Sequence, residues 1–196
     1  MRSRSLTLAA ASAAALLCLA APAQAASYTI DPNHTFVTFE IDHNGTSTNR
    51  GRFDKVQGSI EFDRDAKTGQ ADISVDMRSI NTGTPGFDKH LQSADVFNAE
   101  QFATARFVSE RFVFEDNGKI DEIHGQLTLL GQTHPVTIEA ERFNCYANRM
   151  LQGRETCGGD FELSIDRTRW GLNYATQYGA AKDVKIIIQI EAAKAK

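Results

Sequence analysis

The residues of this chain that could do chemistry stand at few spacings that chemistry would use. Asp63-Arg64-Asp65 followed by Gly69 comes nearest to a calcium loop. Lys67 occupies the place of a third oxygen ligand there, the glycine falls one position late, and no closing Glu follows. A polar hairpin turn accounts for the segment. His34, His43, His90, His124 and His134 show no HxH or HxxxH pairing, so a metal site would have to be assembled by the fold. There is no G-x-S-x-G nucleophile elbow. Acidic residues recur at alternate positions of strand-like runs, as on a solvated outer face. No catalytic constellation emerges, and the expectation is a protein that is not an enzyme and needs no cofactor.

What does emerge is apolar lining. Val37, Phe39, Ile41, Ile73, Val75, Met77, Leu127, Leu129, Ile186 and Ile188 all fall on the inward face under the simplest choice of parity. A dry packed core and a cavity for an apolar ligand call for the same residues, so composition leaves both open.

Elements that could position such a lining are strands. Tyr28–Ile41 alternates, and the turn-rich HNGTSTNRG follows. Next come Arg52–Asp63 and then Ala71–Met77, the cleanest alternation in the chain. After a gap, Arg106–Phe114 and Lys119–Leu130 flank Asn117-Gly118, a strong hairpin signal. Val136, Ile138 and Ala140 form another run, then Phe161, Leu163 and Ile165, and finally Val184 to Ile190. That makes about eight strands with short connections, which predicts an all-β, eight-stranded antiparallel barrel or a sandwich. In Phe107–Phe114 no single parity collects the apolar residues, which predicts a bulge or burial on both faces.

The gap holds the exception, Thr82 to Phe107, where alternation stops. Phe87 and Leu91 are four residues apart, with Phe97 beyond them, and Pro85 follows a potential cap at Thr84. A short helical insert between the third and fourth strands is predicted, with Phe87, Leu91 and Phe97 turned toward the barrel interior at its mouth. Lid and plug are the two roles open to it.

The N-terminus bounds the compartment. Arg2 and Arg4, the apolar Leu6–Leu19 stretch and Ala23-Gln24-Ala25 read as a signal peptide over 1–25, cleaved after Ala25, leaving one domain over 26–196. No later segment is apolar enough for a membrane span. Loss of Arg2 and Arg4 leaves 19 of the 21 basic residues against 25 acidic ones, a balance that argues against nucleic acid. Cys145 and Cys157 alone remain beyond the leader. In an exported chain an isolated pair reads as a disulfide, since zinc would want four ligands.

Several segments together resemble the YceI-like family of polyisoprenoid-binding proteins. They are Tyr28-Thr29-Ile30-Asp31-Pro32-Asn33-His34-Thr35, Asp88-Lys89-His90-Leu91, Gly125-Gln126-Leu127-Thr128-Leu129-Leu130-Gly131 and Asp183-Val184-Lys185-Ile186. The resemblance implies a lipocalin-like barrel in the periplasm of a Gram-negative cell. It also implies a long isoprenoid or fatty chain, quinone-like or polyprenyl, held inside for transport or sequestration. Lipocalins proper carry G-x-W near the first strand, whereas the one Trp here is Trp170, near the end. The chain departs from the family pattern at Arg167-Thr168-Arg169-Trp170-Gly171, where Arg169 could meet an anionic head group or pair with a surface carboxylate. The site expected from lining and resemblance together is Val37, Phe39, Ile41, Val75, Met77, Phe87, Asp88, His90, Leu91, Phe97, Leu127, Leu129, Arg169, Ile186 and Ile188. Asp88, His90 and Arg169 are placed at the head group, with helix capping as the other role for Asp88. Two rival readings are a filled barrel acting through its outer surface in stress or adhesion, and a lipid-modifying enzyme. A homodimer is left open.

Overall fold

Alternation drives the architecture of the computed structural model, which describes residues 25–196; the leader expected over 1–25 lies outside these apart from Ala25. Eleven strands follow in chain order: β1 Ala26–Ile30, β2 Phe36–His43, β3 Ser47–Phe53, β4 Val56–Asp63, β5 Thr68–Asp76 and β6 Ile80–Asn81. After the helix α1 Pro85–Gln92 come β7 Thr104–Phe114, β8 Ile120–Leu129, β9 Gln132–Asn148, β10 Arg154–Asp166 and β11 Asp183–Lys194. The ring runs β1-β4-β5-β7-β8-β9-β10-β11 and closes where β1 pairs with β11. The eight-stranded antiparallel barrel is therefore the fold. Among the described residues no helix is long and apolar enough to cross a membrane.

The seam of the barrel explains the extra strands. The expected run Tyr28–Ile41 breaks at Asp31–Thr35, where Pro32 lacks an amide hydrogen and Asp31 Oδ1 accepts from the Asn33 amide at 2.9 Å. Below the break β1 pairs with Ala192–Lys194 of β11, and above it β2 pairs with Val184–Gln189. Ser47–Phe53, whose first five residues read as turn by composition, pairs along β2 instead. Only the tip of that segment turns, over residues 44–46, with Asn44 and Gly45 both at positive φ (58° and 66°), as the two central residues of a type I′ turn are. The polar STNR sequence hid the strand because β3 has no apolar face at this end.

The insert packs beside β3. It stands between β5 and β7, the third and fourth strands of the sequence reading, and β6 pairs with Arg52–Phe53 of β3. Thr84 is the extended N-cap of α1 and Pro85 its first residue, where a missing amide hydrogen costs nothing. Phe97 packs edge-on against Phe53, with ring centroids 5.8 Å apart. Two register shifts, at Ser109/Arg111 and Val113/Phe114, are the irregularity expected in β7. They bring Phe107, Phe112 and Phe114 to one side, against the core.

β9 and β10 run well beyond the apolar alternation, and Cys145 and Cys157 face each other across them. The bond joins them as a staple across a hairpin, not as the closure of an irregular loop. That far end of the barrel is shut by aromatic rings. Phe62 packs on Tyr28, Phe114 and Phe143 at centroid distances of 6.2, 5.9 and 5.4 Å.

Candidate functional site

The other end is open, and behind it lies a cavity of about 600 Å³. That volume sits in the middle of the range of pockets that enclose a small organic ligand. Its walls come mostly from alternate residues of eight strands. β2 gives Val37, Phe39 and Ile41, β5 gives Val75, β8 gives Leu127 and Leu129, and β11 gives Val184 and Ile186. Met77, just after β5, and Phe87, His90, Leu91 and Phe97 of the insert complete the expected set that reaches it. Val37, Ile41, Val75, Leu127 and Ile186 point inward yet are only half-buried, because the space they face is hollow. The barrel is therefore not a filled core.

Three expected residues lie elsewhere. The Asp88 carboxylate turns back to the segment before α1 and accepts from the Thr82 amide at 2.7 Å and the Thr82 hydroxyl at 2.6 Å. Arg169 is on the outer surface, its guanidinium 5.4 Å from the Trp170 ring, beside a groove that Glu139, Glu162 and Asp166 also line. Ile188 lies deeper along β11 and faces a second, smaller space. Neither Asp88 nor Arg169 reaches the cavity, because one is spent on the strap that holds α1 and the other lies exposed on the 3-10 turn Arg167–Trp170, where the alternation of β10 has ended.

The cation that does line the cavity is Arg167, which is 7% exposed. It continues the inward alternation Phe161, Leu163, Ile165, so parity alone would have found it. Its guanidinium donates to three backbone carbonyls: Ala181 at 2.8 Å, Leu172 at 2.7 Å and Tyr174 at 2.9 Å. Burial lowers its pKa, and the charge of Asp166 works against that shift. These bonds gather residues 172–181 over the end of the barrel. Tyr174 and Tyr178 of this loop line the mouth and stay exposed, Tyr178 by 84%. No periodicity marks either tyrosine, so the sequence carried no signal for them.

His90 joins α1 to the mouth loop. Its ring lies 6.4 Å from Phe87 on the same helix and packs edge-on against Tyr174 at 4.8 Å. Across the mouth, Asp42, His43 and Asn44 of the β2–β3 hairpin supply the polar rim. Behind the wall, Trp170 is fully buried and donates from Nε1 to the Leu127 carbonyl at 3.0 Å. Among the described residues one group has metal-ligand spacing, Cys145, Glu155 and Cys157, and two of its members are bonded to each other. The arrangement can enclose a long apolar group with a polar end at the rim.

Comparison with known proteins gives this geometry a family. The model of the YceI-like domain matches residues 28–192. The chain belongs to the YceI-like family. A UPF0312 protein of Serratia proteamaculans is 34% identical over 191 residues, covering 94% of this chain and 95% of its own. Protein YceI of Salmonella arizonae is 34% identical over 190 residues, at 93% and 95% coverage. Among solved structures, Burkholderia cenocepacia BcnA matches with a TM-score of 0.69 at 23% identity, covering 83% of this chain and 98% of that one. A polyisoprenoid-binding domain from Saccharophagus degradans matches with a TM-score of 0.61 at 14% identity, covering 88% of this chain and all of that domain. At these identities the two structures share the YceI-like barrel with this chain, and the likeness is one of fold.

Proposed function

We infer that this protein is a non-catalytic carrier that holds one long apolar chain, isoprenoid or fatty, inside its barrel. The observation that carries the reading is the hollow itself: about 600 Å³ walled by aliphatic and aromatic side chains and open at one end. Each methylene that moves from water into such a wall contributes about 0.8 kcal/mol. The polar rim and the buried Arg167 suit a head group left at the mouth while the chain runs inward. Membership of the YceI-like family, and a barrel shared with a polyisoprenoid-binding domain, support the same reading. The leader expected at the N-terminus and the Cys145–Cys157 bond fit an exported, periplasmic protein. A chain of this kind cannot cross an aqueous compartment bare, and a barrel that covers it supports transport or sequestration.

Narrowing the hollow tests this directly. Ile186→Trp places an indole into the cavity, and it should weaken binding of a fluorescent long-chain fatty acid about tenfold or more while the barrel stays folded. Unchanged affinity in a folded variant would count against an interior site.

A further inference from the structure

We propose that the barrel holds a second chamber that takes the end of the bound chain, and that Phe107 is the gate between it and the main cavity. This deepens the lipid-binding reading and rests on it. The second space, about 100 Å³, lies toward the closed end of the barrel. Among the described residues no charged side chain lines it, and the only polar side chain in its wall is Tyr28.

The border between the two spaces can be followed strand by strand. On β5, Val75 faces the main cavity and Ile73 the far chamber. On β11 the same division falls between Ile186 and Ile188, and on β10 between Leu163 and Phe161. Phe107 on β7 and Ile138 on β9 alone line both. The inward residues two apart on each strand thus form two stacked rings, with the Phe107 side chain between them.

Gly125 gives that ring its place. It lies on β8, one inward position below Leu127, the cross-strand partner of Phe107. A Cβ added to Gly125 would come within 2.6 Å of Phe107 Cζ, so the tip of the ring occupies a place on β8 that offers no side chain. Phe62, Phe112, Phe114 and Phe143 are held in aromatic pairs at the closed end. Phe107 belongs to no aromatic pair among the described residues and has free volume on both sides. A ring so placed can swing toward either chamber by rotation of its side chain alone. Empty volume destabilises a core in proportion to its size, and an apolar space this small stays dry. Apolar space kept at the end of a blind tunnel suits the last carbons of a chain.

The test is a chain-length series of straight-chain fatty acids from twelve to twenty-four carbons. Each displaces a fluorescent fatty acid from wild type, Phe107→Ala, Phe107→Leu and Ile188→Phe, with folding of each checked by circular dichroism. In wild type the affinity should rise about fourfold per added carbon, the equivalent of about 0.8 kcal/mol, and then level off. Phe107→Ala should move the plateau about two or more carbons longer, at the scale of the ~30 Å³ that one water occupies, with Phe107→Leu between the two. Ile188→Phe fills the far chamber without touching the main cavity. It should cut affinity for the longest chains about tenfold and leave the shortest unchanged. If Phe107→Ala does not fold, Phe107→Leu and Ile188→Phe decide the matter. Plateaus that coincide in all the folded variants overturn the gate while leaving the lipid-binding reading in place. Failure of wild type to bind any chain overturns both.

Discussion

Asp88 of α1 and Thr82 of the preceding segment are joined twice, the carboxylate accepting from the backbone amide at 2.7 Å and from the side-chain hydroxyl at 2.6 Å. The pair ties the first turns of α1 to the strap that leaves β6. It places Phe87 and Leu91 over the cavity without Asp88 touching it. Asp88→Ala should lower stability by about 2 kcal/mol, the scale of bonds to a charged acceptor. It should also speed proteolysis within residues 82–92. Urea unfolding and limited proteolysis read both effects. An unchanged midpoint with unchanged cleavage would mean that the strap is held elsewhere.

Arg167 should behave as the clasp of the mouth loop. Arg167→Lys keeps the charge but not the fork that reaches the carbonyls of Leu172, Tyr174 and Ala181 together. The expected loss is about 3 kcal/mol, because buried carbonyls are left unpaired. Hydrogen exchange should rise locally over residues 171–182. Protection equal to wild type there would show that the loop does not depend on the clasp.

Reduction of the Cys145–Cys157 bond, or the double replacement by alanine, should cost about 3 kcal/mol on the chain-entropy account. Both cysteines lie at the barrel's closed end, and Cys157 also lines the small chamber there. Thermal unfolding with and without reductant measures the loss. The mass should rise by two daltons on reduction (hydrogen masses alone, given the bond chemistry). Free thiols in freshly isolated, folded protein would contradict the bond.

The break between β1 and β2 carries a pH signature. His34 Nδ1 lies 2.8 Å from Asp31 Oδ2, and this hydrogen bond lowers the Asp31 pKa and raises that of His34. The lowered carboxylate contributes stability above its ordinary range and loses it as pH falls through the lowered value. The raised imidazole contributes fully below its ordinary value of about 6.5, and its share is lost as pH rises through the raised value. The interaction is therefore complete in the mildly acidic window between the two and fades above neutrality. An NMR titration of His34 should give a midpoint above that ordinary value, returning toward it in Asp31→Asn. Identical midpoints in the two proteins would dismiss the pair.

The barrel was legible because inward and outward residues alternate cleanly in β5, β10 and β11, and because Asn117-Gly118 marks its turn. β3 was not, since a strand beside a polar rim needs no apolar face. The same parity that placed Val37, Val75 and Ile186 toward the interior would have placed Arg167 there. Arg169 drew attention instead by its departure from a family pattern. Whether the interior was hollow could not be read at all. A packed core and a lined cavity use the same side chains, and the difference lies in how far apart eight strands hold them. Tyr174 and Tyr178 sit on a loop positioned by Arg167, a relationship between distant backbone carbonyls that no spacing encodes.

The central claim is that the hollow holds a long apolar chain. Native mass spectrometry of the mature protein, purified under non-denaturing conditions from its own cells and followed by organic extraction, tests it most directly. The account predicts a mass above that of the polypeptide and an extractable isoprenoid or fatty chain in near-equal amount. Folded protein at the bare polypeptide mass, with nothing extractable, would contradict it.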